Sequence, residues 1–246
     1  MTLSVVILTK NEEKNLEKLL PTLALAEEVV IVDDNSVDKT LKIAEDFGAR
    51  VYKRKLDNDF AAQRNFGLEK ATGNWILFLD TDEEISKELS NEITQLVSNP
   101  LIRTQGYHLK RQDFLWGKLM TGTEAGRTKL LRLIKKGKGK WARRVHEYII
   151  APENTSVLKN NLIHYPHTTL GEFIKDINYY STIHAEENRN EGKKASLAKI
   201  IFYPAGKFIN NWLILGGYKD GGQGFVVSLM MSLHSFLSWS KLWLMH

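Results

Sequence analysis

The 246-residue chain has no cysteine, which excludes disulfides and thiolate metal sites and makes a reducing compartment the expected setting. Long apolar runs are missing too. Near the C-terminus, residues 225–240 are uncharged for 16 residues, short of the ~20 that a spanning helix needs. The apolar run at the N-terminus is too short for a secretory leader and no basic residue precedes it, so the expected location is the cytoplasm. Zinc-finger spacing, an RNP signature and a helix-turn-helix are all absent, so nucleic acid is not an expected partner despite the net charge of +5. No internal repeat or low-complexity tract interrupts the chain.

What is present is uneven. Residues 1–100 carry 12 Lys+Arg against 19 Asp+Glu, and residues 101–246 carry 22 against 10. An acidic half joined to a basic half implies two tasks, the basic one suited to a polyanion or an anionic membrane surface. In the acidic half, strand and helix signals alternate. "LSVVILT" (3–9), "EVVIVDD" (28–34), "RVYKRK" (50–55) and "NWILFLD" (74–80) read as strands. Between and after them, 11–24, 36–48, 59–72 and 86–99 read as helices, with Asn11, Ser36 and Ser86 as caps and Gly48, Gly73 and Pro100 as stops. Helices of this length between strands imply parallel pairing with right-handed crossovers, and ligands in such sheets sit at the carboxyl ends of the strands.

Two strands bring carboxylates to that rim. The first ends in Asp33-Asp34, followed by Asn35, Ser36 and Asp38, a set suited to hydrogen bonding a base or ribose. A capped helix with solvated charge is the plainer alternative. A phosphoacceptor domain also pairs aspartates after an early strand, but it is about half this length and leaves the rest without a role. The second strand ends in Asp80-Thr81-Asp82. If that triplet is extended, its outer side chains point the same way and converge on one ion, with oxygen ligation suited to Mg²⁺ or Mn²⁺. Glu83 and Glu84 read as a solvated lead-in to the helix capped by Ser86.

The stretches "SVVILTKNEEKNLEKLL", "EVVIVDDNSVDKT" and "AAQRNFGLEKATGNWILFLDTDEEI" resemble the N-terminal half of a family 2 glycosyltransferase with the GT-A fold. "VHE" at 145–147 and "GGYKDGGQG" at 216–224 resemble the bacterial subgroup related to lipopolysaccharide-core β-1,4-glucosyltransferases. The resemblance implies a Rossmann-like α/β fold, with a mostly parallel central sheet flanked by helices, over residues 1–165. A helical, amphipathic region, 166–246, would follow on the acceptor side, its apolar residues packed internally, against a membrane or in a dimer interface. It implies inverting transfer of one sugar, by expectation glucose, from a UDP-sugar to a glycolipid or envelope glycan. Thr9, Asn11 and Glu12 would line the nucleotide pocket, Asp33 or Asp34 would meet uracil or ribose, and Arg64 with Asn65 would lie near the phosphates. Asp80 would face the ribose or a metal-bound water, and Asp82 would hold the divalent cation. The diphosphate leaving group gains charge as the glycosidic bond breaks, so a cation and Arg64 would stabilise it. No glycine-rich phosphate loop is present to share that load.

Inversion by single displacement needs a carboxylate to take the acceptor proton. Glu147 in "RRVHEYI" is the first candidate, with Asp113 and Glu124 in reserve; the alternative for Glu147 is an exposed strand residue paired with Arg143 or Arg144. The Gln-x-x-Arg-Trp motif of processive synthases is absent, in keeping with transfer of one sugar. His146 and His164 are the preferred further metal ligands, ahead of His167, although a lone histidine is more often structural. Residues 128–149 contain strand-like runs punctuated by Gly137 and Gly139 as in a hairpin. The nine Lys+Arg of 127–144, with no acid, fit either its solvated face or a surface that meets a phosphorylated glycolipid or an anionic leaflet, and the second is preferred. Two other readings stay open: a sugar nucleotidyltransferase, and a non-catalytic sugar-nucleotide-binding scaffold at the membrane.

Overall fold

The computed structural model describes residues 1–144 and 147–245, which form two compact units. The first comprises residues 1–111 and 129–164, the second 112–128 and 165–246. Residues 112–128, placed by sequence with the first domain, therefore belong with the C-terminal helices.

In the first unit the expected alternation is present: β1 (Leu3–Thr9), α1 (Glu13–Leu19), β2 (Glu28–Asp33), α2 (Thr40–Asp46), β3 (Arg50–Lys53), α3 (Phe60–Lys70) and β4 (Trp75–Leu79). β5 (Glu83–Ile85), α4 (Lys87–Ser98) and β6 (Gly106–Leu115) follow. Then come β7 (Lys118–Leu119) in the second unit and β8 (Thr128–Lys135), β9 (Lys140–Ala142), β10 (Tyr148–Ile150) and β11 (Thr155–His164). The main sheet runs β3-β2-β1-β4-β8-β6-β11-β5. β1 pairs in parallel with β2 and β4, in a register that sets Thr9 beside Asp33. β8 returns antiparallel to β4, with Leu133 opposite Leu77. The hairpin expected over 128–149 does not form as one unit, because β8 joins the main sheet while β9 pairs with β10 in a separate two-stranded sheet.

Burial on both faces explains why the central strands are continuously apolar. All five residues of β4 are inaccessible to solvent. Each such large side chain contributes about 1.5–3 kcal/mol of transfer free energy. The two-residue strand period sends Val5, Ile7, Ile31, Leu77 and Leu133 to one face, beneath α1, α2 and α4. Val6, Val30, Val32, Ile76, Phe78 and Ile134 go to the other, beneath α3 and Trp141 of β9. α3 itself buries Ala61, Gln63, Arg64 and Gly67. Gly67 is what lets it lie so close: a Cβ there would come within 2.4 Å of Val6 Cγ1.

The second unit packs Leu115, Met120, Ala125, Phe173, Ile177, Val227 and Met230 around α5 (Leu170–Asn190) and α7 (Gly221–Leu244). α6 (Leu197–Ile209) lies between them in sequence and runs on into a π-helical turn, Asn210–Ile214. The buried stripe of α5 follows Phe173, Ile177, Ser181, Ala185 and Asn188, and Tyr180 is exposed. Within the "GGYKDGGQG" motif the buried Asp220 accepts hydrogen bonds from Thr121 N, Thr121 Oγ1 and Gly122 N at 2.7–3.1 Å. Backbones approach so closely there that a Cβ on Gly224 would sit 2.0 Å from Gly217 O. Among the described residues, no helix is long and apolar enough to cross a membrane.

Candidate active site

The same strand period that fills the α3 face with apolar side chains ends by delivering charge to it. On β4 the inward series Ile76, Phe78 is followed by Asp80, and on antiparallel β8 the series Ile134, Arg132 reaches the same end. Arg64 stands on α3 one turn before Gly67 and is drawn down with it. The three side chains meet. Arg64 Nη2 donates to Asp80 Oδ1 at 2.6 Å, Arg132 Nη2 donates to Asp80 Oδ2 at 2.6 Å, and Arg64 Nε donates to Glu147 Oε1 at 3.0 Å. Trp141 lies under both guanidiniums, 4.7 Å from Arg64 and 5.7 Å from Arg132, and meets Phe78 edge-on. Asn65 fixes that tryptophan, its amide exchanging two 2.9 Å hydrogen bonds with the Trp141 backbone.

Glu83 lies behind this cluster and corrects the expectation of a solvated lead-in. It is buried, accepts a hydrogen bond from Asp80 N at 2.9 Å, and its second oxygen is 3.9 Å from Arg132. β5, too short to be read from sequence, draws it in by pairing with β11, where Glu83 lies opposite His164. Burial, then the Asp80 charge, push the Glu83 carboxyl above its ordinary value. Burial also opposes the charge on Asp80, but Arg132 and Arg64 outweigh it and hold that carboxyl far below the usual range. Arg132 is likewise held charged against its burial by Asp80 and Glu83. Desolvating so many ions costs several kcal/mol each, which the shared hydrogen bonds offset in part, since Arg64 Nη1, Arg132 Nε and Nη1 and Glu83 Oε1 are buried without a hydrogen-bond partner among the described residues.

The expected convergence of Asp80 and Asp82 fails for a geometric reason. Residues 80–83 form a turn closed by Glu83 N donating to Asp80 O at 3.2 Å, so the triplet is not extended. Asp82 instead meets His164, Oδ2 to Nε2 at 3.2 Å. Glu12 is close by: it hydrogen-bonds Asn15 and Thr81, and burial, with the charges of Asp82 and Asp38 adding, raises its carboxyl above the ordinary value. Among the described residues no three His, Asp or Glu side chains gather closely enough to hold an ion. Mg²⁺ commonly takes only one or two protein carboxylates, with waters and substrate phosphates completing the shell. Asp82 is one such carboxylate, with Oδ2 facing His164 Nε2, whereas both oxygens of Asp80 are taken by guanidiniums.

The remaining expected residues build the loops after β1 and β2. Asp33, wholly buried, accepts from Thr9 Oγ1 at 2.9 Å and from Ser36 N at 2.8 Å, with the Ser36 hydroxyl also bound to it. Ser36 thus closes a loop and α2 starts only at Thr40. Asn11, at φ +56°, accepts from Val37 N at 2.9 Å, so it ties the two loops together and does not cap α1. Asp34 takes Lys10 Nζ at 2.6 Å and Leu56 N at 3.0 Å, and the Lys10 bond holds its carboxyl below the ordinary value. His146 lies outside the described residues. Asp113, Glu124 and His167 belong to the second unit, where Glu124 is bound by Lys207 and His167 by Asp176 at 3.3 Å.

Arg132, Glu83 and Trp141 were not picked out from sequence. Arg132 left one signal, a lone charge among apolar residues in "LLRLI" at strand period with Ile134; the reading of 127–144 as an outward basic run concealed it.

Residues 4–144 match the family described as glycosyl transferase family 2. The chain is 28% identical, over 100% of its length and 93% of the relative's, to the lipopolysaccharide core biosynthesis glycosyltransferase LpsC of Rhizobium meliloti. It is 29% identical to an uncharacterized glycosyltransferase of Rickettsia bellii, over 98% and 85% of the two lengths. Among solved structures it resembles residues 1–349 of Staphylococcus aureus TarS in complex with UDP-GlcNAc, with TM-score 0.51, 17% identity and coverage of 96% and 82%. The mannosyltransferase PcManGT of Pyrobaculum calidifontis, in complex with GDP-Man and Mn²⁺, gives TM-score 0.57, 13% identity and coverage of 98% and 86%. These likenesses place the fold among the GT-A glycosyltransferases.

Proposed function

Because the chain belongs to glycosyl transferase family 2 and is a glycosyltransferase, we propose that it transfers one sugar from a UDP-sugar, glucose first among candidates, to a hydroxyl of a lipid-linked or envelope glycan, with inversion. The observation that carries this reading is the meeting of Arg64, Asp80, Arg132 and Glu147 at the carboxyl end of β4, beside Asp82 and His164. The loops tied by Asp33 and Asn11 border the nucleoside side, with Thr9, Glu12 and Asp34 around them. A Mn²⁺ or Mg²⁺ ion on Asp82 and His164 would neutralise charge on the diphosphate.

The step is a single displacement. The acceptor oxygen forms its bond to the anomeric carbon as the bond from that carbon to the diphosphate oxygen breaks, and the acceptor proton passes to Glu147. Arg64 orients Glu147 through Nε while Nη2 holds Asp80, so the base and the aspartate move as one unit. Arg64 and Arg132, both paired with Asp80, hold the base in a fixed position that needs no reorganisation during the reaction. The setting consistent with a lipid-linked acceptor is the cytoplasmic face of the membrane.

The test is UDP release by the purified protein from UDP-glucose and other UDP- and GDP-sugars, with candidate acceptors, with and without Mn²⁺. Preference for a GDP-sugar would overturn the donor assignment. Release of pyrophosphate from a nucleoside triphosphate and sugar phosphate would make the protein a nucleotidyltransferase instead.

A further inference from the structure

The second unit carries more exposed apolar surface than its own packing explains. Along α6, Leu197, Ile201, Ala205 and Ile209 recur every fourth residue and face outward, with Phe202 beside them. Ile201 is 62% exposed and Phe202 68%, and the π-helical turn continues the patch with Leu213 and Ile214, the latter 70% exposed. Only Pro204 of α6 is buried, and a Cβ added at Gly206 would meet no atom within 4 Å. Large aliphatic and aromatic side chains held in water along one helix mark a binding surface.

The charges around it say what kind. Between residues 192 and 219 there are five lysines and no acid. Lys193 is compensated by Glu191 at 2.7 Å and Lys207 by Glu124, but among the described residues Lys194, Lys199 and Lys219 have no acidic partner. Asp220, the next acid, is buried and bound to the 121–122 backbone. An apolar stripe flanked by uncompensated lysines suits an anionic lipid surface, where the apolar face enters the headgroup boundary and the ammonium groups meet phosphates. At 13 residues, α6 is far too short to span a bilayer.

We propose that α6 and the π-helical turn form an in-plane membrane anchor, with Ile201, Phe202, Leu213 and Ile214 inserted and Lys194, Lys199 and Lys219 on the phosphates of an anionic leaflet. The proposal rests on the glycosyltransferase reading only for its purpose, since a lipid-linked acceptor resides in the same leaflet. Flotation of the full chain with phosphatidylcholine vesicles, with and without phosphatidylglycerol, tests it. Binding is expected only with phosphatidylglycerol. Replacing Lys194, Lys199 and Lys219 together by Gln is expected to weaken it roughly a hundredfold, each lysine contributing about fivefold. Ile201→Ser with Phe202→Ser is expected to weaken it tenfold or more, while circular dichroism and UDP-sugar binding stay unchanged because both side chains are exposed. No binding to either vesicle, or equal binding to both, would overturn the proposal. So would sedimentation equilibrium showing a dimer that the Ile201→Ser, Phe202→Ser variant dissociates, since the occupant would then be a second copy. Vesicle binding without UDP release would leave the anchor standing and sink the catalytic reading.

Discussion

Arg132→Met is the sharpest test of the charge network. Methionine retains an unbranched stem against Trp141 but removes the guanidinium that holds Asp80 Oδ2 at 2.6 Å and lies 3.9 Å from Glu83 Oε1. Deleting one member of a buried ion pair costs about 3–5 kcal/mol. Asp80 keeps Arg64 and 30% of its side-chain exposure, so the lower end applies, about 3 kcal/mol. The cost depends on pH. Asp80, with its lowered carboxyl, contributes stability above the ordinary carboxylate range that is lost as pH falls through its folded value. Glu83 is raised, so its contribution is complete below its ordinary value and is lost as pH rises through the folded one. Without Arg132, ionised Glu83 faces Asp80 uncompensated. Urea denaturation is therefore expected to show the largest gap from the parent at neutral pH, narrowing as acid protonates Glu83. Glu83→Gln added to Arg132→Met keeps the acceptor for Asp80 N, removes the orphaned charge and is expected to restore about half the loss, roughly 1–2 kcal/mol. A single variant costing less than about 1 kcal/mol, a gap independent of pH, or a double variant weaker than the single would refute the network.

Glu147→Gln keeps an oxygen for Arg64 Nε but cannot take a proton, so kcat is expected to fall roughly 10²–10⁴-fold with donor KM little changed, measured by UDP release. Asp82→Asn is expected to weaken Mn²⁺ stimulation of that release and leave thermal stability close to the parent's; stimulation retained in full would remove the metal from Asp82. Gly67→Ala forces a Cβ against Val6 and lifts α3, at about 1–3 kcal/mol in urea denaturation, and it is expected to lower kcat because Arg64 rides on that helix. Asp220→Ala strands the Thr121 and Gly122 amides in the second unit, at about 2–4 kcal/mol by thermal unfolding.

The alternating strands and helices of the first hundred residues were legible because each apolar run has the length and period of its element and ends at a cap or a glycine. Gly48, for instance, stops its helix at φ +86°. Ser86 caps α4 as expected, accepting from Leu89 N. Arg64, Asp80, Asp82 and Glu147 were singled out, yet their pairing was not. It depends on β8 returning antiparallel beside β4, a long-range choice that no local pattern encodes. The pairing also reassigns loop residues. Ser36 and Asn11 have the composition of helix caps, but each is claimed by a partner about 25 residues away in sequence.

The division between Asp80 and Asp82 shows how little of an Asp-x-Asp motif lies in its letters. Extended backbone would aim both carboxylates at one point, and that geometry was the basis for expecting a shared ion. One hydrogen bond, Glu83 N to Asp80 O, makes a turn of it. The turn exists because only three residues separate the end of β4 from the start of β5, which pairs with β11, buries Glu83 and brings His164 to Asp82. Asp80 is left on the α3 face, where two arginines already wait. The motif thus supplies one carboxylate that fixes the position of Arg64, and with it Glu147, and one that faces His164. Exchanging the two roles would require β5 to slip by one residue, which would turn Glu83 to the opposite face of the sheet and remove it from behind Asp80.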